Sequence, residues 1–441
     1  MRQIGESAWA LRVRKPEEIV RLDLNKKTDV LIVGGGICGI LLAYRLKEIG
    51  ISTIIAEAKT ILSGTSGNTT AKITAQHGLI YSDIIKHYGA EKARMYYDAN
   101  TKAIKDFRAL ASKFPCDLET KDAYIYSTDN RAKIEREADA LRKINLNARI
   151  ADEVPIPLNI KAAIVMENQA QFNPLKFLYA MAENLEIYEH TLIKRIESGK
   201  AITNNGNIIT AKYIVLATHY PLLNIPGLYF MKLYQHRSYV YALENAPNVN
   251  GMYLDEKDNG LSFRNYQDLL FVGGGSHKTG AKKQSKNYHD LRLKVRELFP
   301  HSNINCHWAA QDVMSLDKIP YAGKFSPRKY HLFVATGFNK WGMTGSMAAA
   351  DVIKNLIAYG KSDYEELYSP QRSMFTKQLG TNLKSAALGL FKIGGPRCPH
   401  MGCKLVFNRI ERTWDCPCHG SRFGKHGNII DNPAKHDIAR R

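Results

Sequence analysis

The sequence contains no apolar run approaching the about eighteen residues that cross a bilayer, so no transmembrane segment is expected. Its first residues, MRQIGESAWALRVRKPEE, lack the apolar stretch of a signal peptide, which places the protein in the cytoplasm as an expectation. There is no arginine-rich tract and no basic stripe interleaved with aromatics, which argues against nucleic acid as a partner. Acidic residues are the scarcer sign: 42 Asp and Glu stand against 62 Lys and Arg, a net charge of +20. That surplus suits an acidic protein, an anionic lipid or no specific partner at all. Cysteine is sparse as well, with seven in 441 residues, and four of these fall within 21 residues near the end. The others, Cys38, Cys116 and Cys306, are scattered and read as small buried hydrophobes. A chain of this length is expected to hold two or more domains.

Against these absences stands one informative stretch, Asp29 to Gly39, reading DVLIVGGGICG. The apolar run Val30 to Val33 suits a strand buried on both faces. It enters Gly34, Gly36 and Gly39, a G-x-G-x-x-G that opens a helix. Gly34 would make the tight turn, Gly36 would admit a pyrophosphate, and Gly39 would let helix and strand pack closely. The helix N-terminus would offer its free N–H groups to phosphate. A second strand, Ser52 to Ala56, ends at Glu57, about twenty residues on, where a carboxylate bonds a ribose hydroxyl. A dinucleotide site is therefore expected.

Further along, Ile61 to Gly78 is rich in Gly, Ser and Thr and reads as a surface loop, yet it leaves the second strand where a cofactor would pass. Tyr81 to Phe114 and the charged Arg131 to Lys143 have helical spacing, the latter facing solvent. Asn173 and Pro174 open another helix, through Leu185. Short strands follow at Glu186 to Tyr188, Leu192 to Ile196, Ala201 to Thr203 and Ile208 to Thr210, the last two around the hairpin signal Asn205-Gly206. Tyr213 to Ala217, a continuous apolar run, reads as a buried parallel strand. Ser238 to Ala242 and Leu269 to Val272 belong to a β-rich stretch. Tyr330 to Ala335 enters a Gly loop and the helix Met343 to Tyr359, a unit able to return to the first sheet. Asn382 to Pro396 reads as a linker.

From Asp29 to about Gly360 the chain resembles the flavin-dependent amine and amino-acid oxidases, the family of glycine oxidase and D-amino-acid oxidase. The resemblance rests on the glycine turn with Glu57, on Ser66-Gly-Asn-Thr69-Thr70-Ala71-Lys72, on Val215-Leu-Ala-Thr218 and on Ala335-Thr-Gly337. It implies FAD rather than NAD. Thr69 to Lys72 and Gly342-Met343-Thr344 would contact the isoalloxazine, and Ile193 would lie against adenine. Trp308 to Gly323 is similar to a segment whose arginine holds the substrate carboxylate in the amino-acid oxidases. Here that position is Asp312, which repels a carboxylate. Facing the flavin it would suit a cationic or neutral substrate; otherwise it is a surface acid or an N-cap. No general base stands out. His236, Arg237, Tyr239, Arg264 and His277 are the polar candidates, each more simply structural.

The tail carries Cys398-Pro-His400, fifteen residues, then Cys416-Pro-Cys418-His419. This is the ligand set of a Rieske [2Fe–2S] centre, with Cys398 and Cys416 on one iron and His400 and His419 on the other. A zinc site of Cys₃His or Cys₂His₂ type is the alternative. The run CPCHGSRF and Gly402 resemble Rieske proteins. That resemblance implies a disulfide between the remaining Cys403 and Cys418, although a reducing cytosol opposes one. It also implies a bond from Ser421 to a cluster sulfur. Phe423 replaces the tyrosine of high-potential members, which implies a lower potential.

The whole is similar to the Rieske-containing FAD-dependent oxidoreductases. The expected architecture is α/β: a Rossmann-like FAD-binding domain with an interleaved β-rich substrate domain (1–375), a linker (376–396) and a shortened Rieske-type β domain (397–441). So small a tail rarely folds alone, so Phe407, Trp414, Phe423, Ile429 and Ile430 are expected to pack on the flavin domain or another subunit. The expected function is oxidation of a small, amine-type substrate, with electrons passed singly through the cluster to a carrier, an acidic one if the basic tail receives it. A redox sensor or adaptor that turns over no small molecule is the rival.

Overall fold

The computed structural model describes residues 5–438 apart from 283, 375, 392 and 393. Two sheets and a small third one make up the chain. In the first, Lys26–Val33 pairs in parallel with Thr53–Ala56 on one side and Ile208–Leu216 on the other. Leu332–Thr336 adds in parallel to Ile208–Leu216, so the late strand–Gly loop–helix unit does return to the first sheet. Val30 to Ile32 are fully buried and the helices Ile37–Lys47 and Gly342–Tyr359 pack together over them. A continuous apolar run is what a parallel strand covered on both faces requires.

The second sheet is mostly antiparallel and has the order Asn303–Ser315, Leu233–Glu244, Leu269–Lys278, Ser262–Tyr266, Met252–Asp255, Glu119–Ser127, Ala162–Gln171 and Lys72–Ile73. Its last strand comes from the stretch that follows the nucleotide turn, so the two sheets meet at residues 65–73.

Several expectations give way here. Ile61 to Gly78 is not a surface loop: Ala71, Ile73 and Thr74 to His77 are buried, around a 3-10 turn at Thr65–Asn68. Small residues are used there because the space is tight, not because it is wet. Ile208 to Thr210 and Tyr213 to Ala217 are one strand, whose first part also pairs antiparallel with Lys200–Thr203. Arg131–Lys143 buries one face, including Glu137. That carboxylate accepts the N–H groups of Tyr81 and Ser82 at 2.9 Å each, capping the helix Ile80–Ala111. Cys306 is only half-buried. The expected linker is helical over Lys377–Phe391, because Leu379, Asn382 and Gly389 fall on one face and pack inward.

The tail forms an antiparallel four-stranded sheet, Val406–Asn408, Thr413–Asp415, Arg422–Gly424 and Ile429–Asp431. Its core is its own: Leu405, Phe423 and Ala434 close over the cysteines. Phe407 stays 37% exposed and packs on Trp414. Trp414 and Ile429 thus pack on the tail's own core rather than on the flavin domain, the expected place, and Ile410 instead packs against the flavin-domain cluster that holds Tyr239, Tyr241 and Tyr288.

Around Ile410 the seam is held by polar contacts. Gln235 Nε2 donates to the carbonyls of His419 (2.8 Å) and Asn432 (3.0 Å), and Gln311 Nε2 to that of Gly420 (2.9 Å). Asn432 Nδ2 donates in return to the Thr218 and Tyr220 carbonyls. Arg237 clasps Glu411, which also meets Arg422, and Arg422 reaches Asp415 and Asp431. Burial alone would raise the Glu411 carboxyl, but the two guanidiniums outweigh it and hold it at about 2. Asp415, with only one of those cations in contact, is pushed up by burial.

Removing Arg237 leaves Glu411 short of one cation at a buried seam, a loss of about 3 kcal/mol. Arg237→Ala should speed amide exchange of Arg422–Gly424 about a hundredfold while the first sheet keeps its protection. Equal protection of the tail in both proteins would show that the pair does not hold the seam. Because Glu411 titrates low in the fold, its contribution is complete above about pH 4.5 and fades as pH falls toward 2. Wild-type docking should therefore be indifferent to pH between 5 and 8.

Candidate active site and cluster site

At the nucleotide turn Gly34 has φ +115°, and a Cβ there would lie 2.5 Å from the Ala217 carbonyl oxygen. A Cβ at Gly39 would come 2.1 Å from the Gly34 carbonyl oxygen, so the helix and strand are as close as backbone allows. Gly36 caps the helix, and Ser66 Oγ accepts the Ile37 N–H at 3.0 Å beside it. Glu57 accepts the N–H groups of Gly35 and Lys59, both at 2.8 Å. Ile193 is buried in the apolar layer with Val33, Ala56 and Leu216. Thr218 closes its own turn by donating to the Tyr220 carbonyl.

The segment 67–71 is held from behind, carbonyl by carbonyl. Ser7 Oγ donates to Gly67 O, Trp308 Nε1 to Asn68 O, and Trp9 Nε1 to Thr69 O, at 2.6, 2.9 and 2.7 Å. Arg264 Nη1 donates to Thr70 O and Ala71 O. Arg264 is fully buried between the Trp9 and Phe271 rings, and burial lowers it to about 9. Ala71 takes φ +53° and leads into Lys72, whose ammonium burial, helped by Arg264, lowers to about 7. Sequence reading misses Ser7, Trp9 and this role of Trp308, since nothing local marks a donor whose acceptor lies 60 or 240 residues away.

In front of this segment lies a cavity of about 190 Å³, whose walls include Thr69, Lys72, Tyr239, Asp312, Lys340 and Met343. Asp312 sits within the strand Asn303–Ser315 and faces the cavity, so it is neither a surface acid nor an N-cap. Burial raises its carboxyl to about 6 against the pull of Lys340 and Arg237. Lys340 Nζ donates to Ser276 Oγ (2.8 Å) and Asp258 O (3.1 Å). Gly337 has φ +71°, and Thr344 Oγ1 donates to Thr74 O nearby. His77 stacks on Trp341, is bonded at both ring nitrogens, and burial holds it neutral with a pKa of about 3.

Of the polar candidates, Tyr239 reaches the cavity wall and Arg264 lies behind the loop. His236 is paired across the sheet with Asp312, and burial lowers it to about 4. Arg237 turns to the tail, and His277 bonds the Gly275 carbonyl through Nδ1.

The tail brings Cys398, His400, Cys416 and His419 together. Both cysteines are buried and unbridged, and Cys416, followed by Ser421 and the N–H groups of His400 and Met401, lowers Cys398 to about 7. The imidazoles stand at 89° with centroids 5.0 Å apart. In each ring Nδ1 is buried without a partner, an expensive state unless something binds there. Two free thiols and two orphaned imidazole nitrogens are the donor set that a Rieske cluster needs. Cys403 and Cys418 form a disulfide, so the close sulfur trio Cys403, Cys416 and Cys418 cannot act as a zinc-binding thiolate set.

The other ring nitrogens face the flavin domain. His419 bonds the Phe230 carbonyl, and His400 Nε2 lies 2.8 Å from Asn224 Nδ2. Asn224 Oδ1 is itself buried and unpartnered, and turning that amide over lets Oδ1 accept Nε2–H. Iron on Nδ1 requires that tautomer. Tyr220, two residues past Thr218, meets both imidazoles edge-on at 6.2 and 6.5 Å.

The description FAD dependent oxidoreductase matches residues 29–356, and Rieske [2Fe-2S] domain matches residues 377–440. YhfW of Bacillus subtilis (strain 168), a Rieske 2Fe-2S iron-sulfur protein by name, is 33% identical over 98% of this chain and 97% of its own. Among solved structures, glycine oxidase from Geobacillus kaustophilus aligns with a TM-score of 0.66 at 19% identity, over 79% of this chain and all of its own. L-proline dehydrogenase from P. horikoshii aligns with a TM-score of 0.66 at 18% identity, over 79% and 98%. No helix among the described residues is long and apolar enough to cross a membrane.

The two kinds of cysteine in the tail should separate on mutation. Cys398→Ser should abolish the cluster, whereas Cys403→Ser should let it assemble and then decay faster, as read by EPR and visible circular dichroism after anaerobic reconstitution. Equal loss in both variants would refute the division into ligands and bridge.

Proposed function

The chain belongs to the FAD-dependent oxidoreductase family and carries a Rieske [2Fe–2S] domain, and from that footing we propose that it oxidises a small amine-type substrate and passes the electrons singly, through the cluster, to a partner carrier. FAD, when bound, supplies the acceptance of an electron pair, and the cluster supplies one-electron transfer.

The observation that carries the amine reading is Asp312. Its carboxylate lines the cavity beside the loop 69–72 and has no ion pair of its own among the described residues. In the amino-acid oxidases that this chain resembles, an arginine at this place takes a carboxylate. Reversing the charge reverses the preference, toward an ammonium or a neutral amine. With a carboxyl near 6, Asp312 is ionised at neutral pH and able to hold an ammonium or to take its proton. Lys340, tied to Ser276 and Asp258, adds a positive wall that can orient an electron-rich group on the same substrate.

The chain's own residues also favour internal electron transfer. The nucleotide-side turn at Thr218 runs within two residues to Tyr220, which faces both histidines. Gln235, Gln311 and Asn432 fix that approach, and Thr65 Oγ1 donates to the Gln311 carbonyl from the cofactor loop. Gly36, Ser66, Glu57 and Thr344 would hold the dinucleotide, and Cys398, His400, Cys416 and His419 the irons.

Anaerobic flavin bleaching across a panel of amines and amino acids tests this reading. Because burial raises the Asp312 carboxyl, the acid is neutral below about pH 6 and charged above it, so the apparent affinity for amines should rise through pH 6. Asp312→Asn should flatten that rise and weaken cationic substrates about a hundredfold, the loss of one charge-assisted contact of about 2–3 kcal/mol. No bleaching by any member, with reduction by a ferredoxin-type protein instead, would make the molecule a redox adaptor.

A further inference from the structure

Both imidazoles of the cluster site are spoken for. Asn224 and the Phe230 carbonyl occupy their outer nitrogens, and Tyr220 fills the space between them. The flavin domain therefore crowds the histidine edge: His419 is buried there and His400 is only partly exposed.

The opposite side comes close to solvent through one helix. A Cβ at Gly389 would lie 2.4 Å from Cys418 Sγ, so the backbone of Lys377–Phe391 rests directly on the disulfide that joins the two cluster loops. The Lys404 N–H donates to the Gly389 carbonyl at 3.0 Å, and Arg397 Nη1 bonds the carbonyls of Leu390 and Gly402. Met401, whose N–H supports Cys398, turns its own side chain outward at 39% exposure. Here the protein is one backbone thick.

The outer face of that helix is apolar. Leu383, Leu390 and Phe391 are 46, 40 and 84% exposed, and at spacings of seven and eight residues they share one side. Large apolar side chains gathered on a surface mark a contact site. The stretch of chain that carries them has charge of one sign: residues 376–404 contain five Lys and Arg and no Asp or Glu. A bilayer suits this face poorly, since the helix cannot sink without pulling the disulfide with it.

We propose that the face formed by Leu383, Leu390, Phe391 and Met401, beside the exposed Lys384 and within a stretch of chain without acidic residues, is the docking site of an acidic one-electron carrier protein, and thus the cluster's exit. The inference rests on the reading that electrons enter the cluster from the flavin side. One electron leaves the reduced cluster and one enters the carrier's metal centre; no covalent bond changes. A small apolar contact inside a charged ring gives fast encounter and fast release, which a carrier needs.

The test loads electrons chemically, so it does not depend on any substrate. Dithionite-reduced holoprotein, freed of excess reductant, is mixed with plastocyanin, an acidic copper protein, or with basic mitochondrial cytochrome c. Lys384→Glu should lower the second-order rate with plastocyanin about tenfold and should not lower that with cytochrome c. Phe391→Ser should lower both the plastocyanin rate and, by calorimetry on the oxidised pair, its binding. Added salt should bring the wild-type rate down to that of Lys384→Glu. Unchanged flavin and Rieske spectra establish that the variants are folded and loaded.

Rates and binding that ignore both substitutions would overturn the proposal. So would binding to anionic phosphatidylglycerol vesicles, or self-association, that Phe391→Ser abolishes, since each assigns the face to another occupant. A failed amine panel with charge-dependent plastocyanin reduction intact would leave this surface standing and remove only the substrate reading.

Discussion

Five successive carbonyls, from Gly67 to Ala71, are held by four donor side chains from three separate places in the chain, and much of the rest hangs on that arrangement. Ser7 and Trp9 come from the N-terminal helix, Arg264 and Trp308 from two strands of the second sheet. A peptide segment whose carbonyls are all engaged on one side cannot rotate to satisfy them elsewhere. The segment thus becomes a fixed wall of the cavity rather than a loop, and it bolts the first sheet to the second. Arg264 pays for this with full burial and no carboxylate partner among the described residues, softened by the two aromatic rings beside it.

The tail obeys a different rule. It has a small core of its own around the cysteines, and it meets the flavin domain through amides, carbonyls, one buried ion network and the side chain of Ile410. Close backbone approach sharpens the fit: a Cβ at Gly420 would lie 2.5 Å from Gln235 Cβ, and one at Gly280 2.6 Å from Pro417 N. Directional bonds at a seam fix orientation more than they add stability. The orientation so fixed keeps Tyr220 against both imidazoles.

What could be read in the sequence was whatever depends on short spacing. The glycine turn with its flanking strands and helix, Asn173 as a cap, and the cluster pairs Cys398/His400 and Cys416/His419 are each set by residues a few positions apart, and local sterics or ligand chemistry dictates them. What escaped depends on partners far along the chain. The Gly, Ser and Thr of 61–78 look the same in a wet loop as in a packed wall, and only the distant donors decide between them. The helix Lys377–Phe391 was hidden because Gly380 and Gly389 lower helix propensity, and the disulfide that Gly389 accommodates is a tertiary fact. The tail's expected apolar docking failed for a related reason: counting large side chains cannot tell a small private core from an interface.

The polar character of the seam also bears on access to the cluster site. With the tail seated, His419 is 3% exposed and both ligand thiols are buried, while His400 keeps some contact with solvent. The docked state is thus the one with the narrowest path to the donor set. A seam rich in glutamine, asparagine and paired charges parts in water at less cost than an apolar one, because its polar groups exchange protein partners for water.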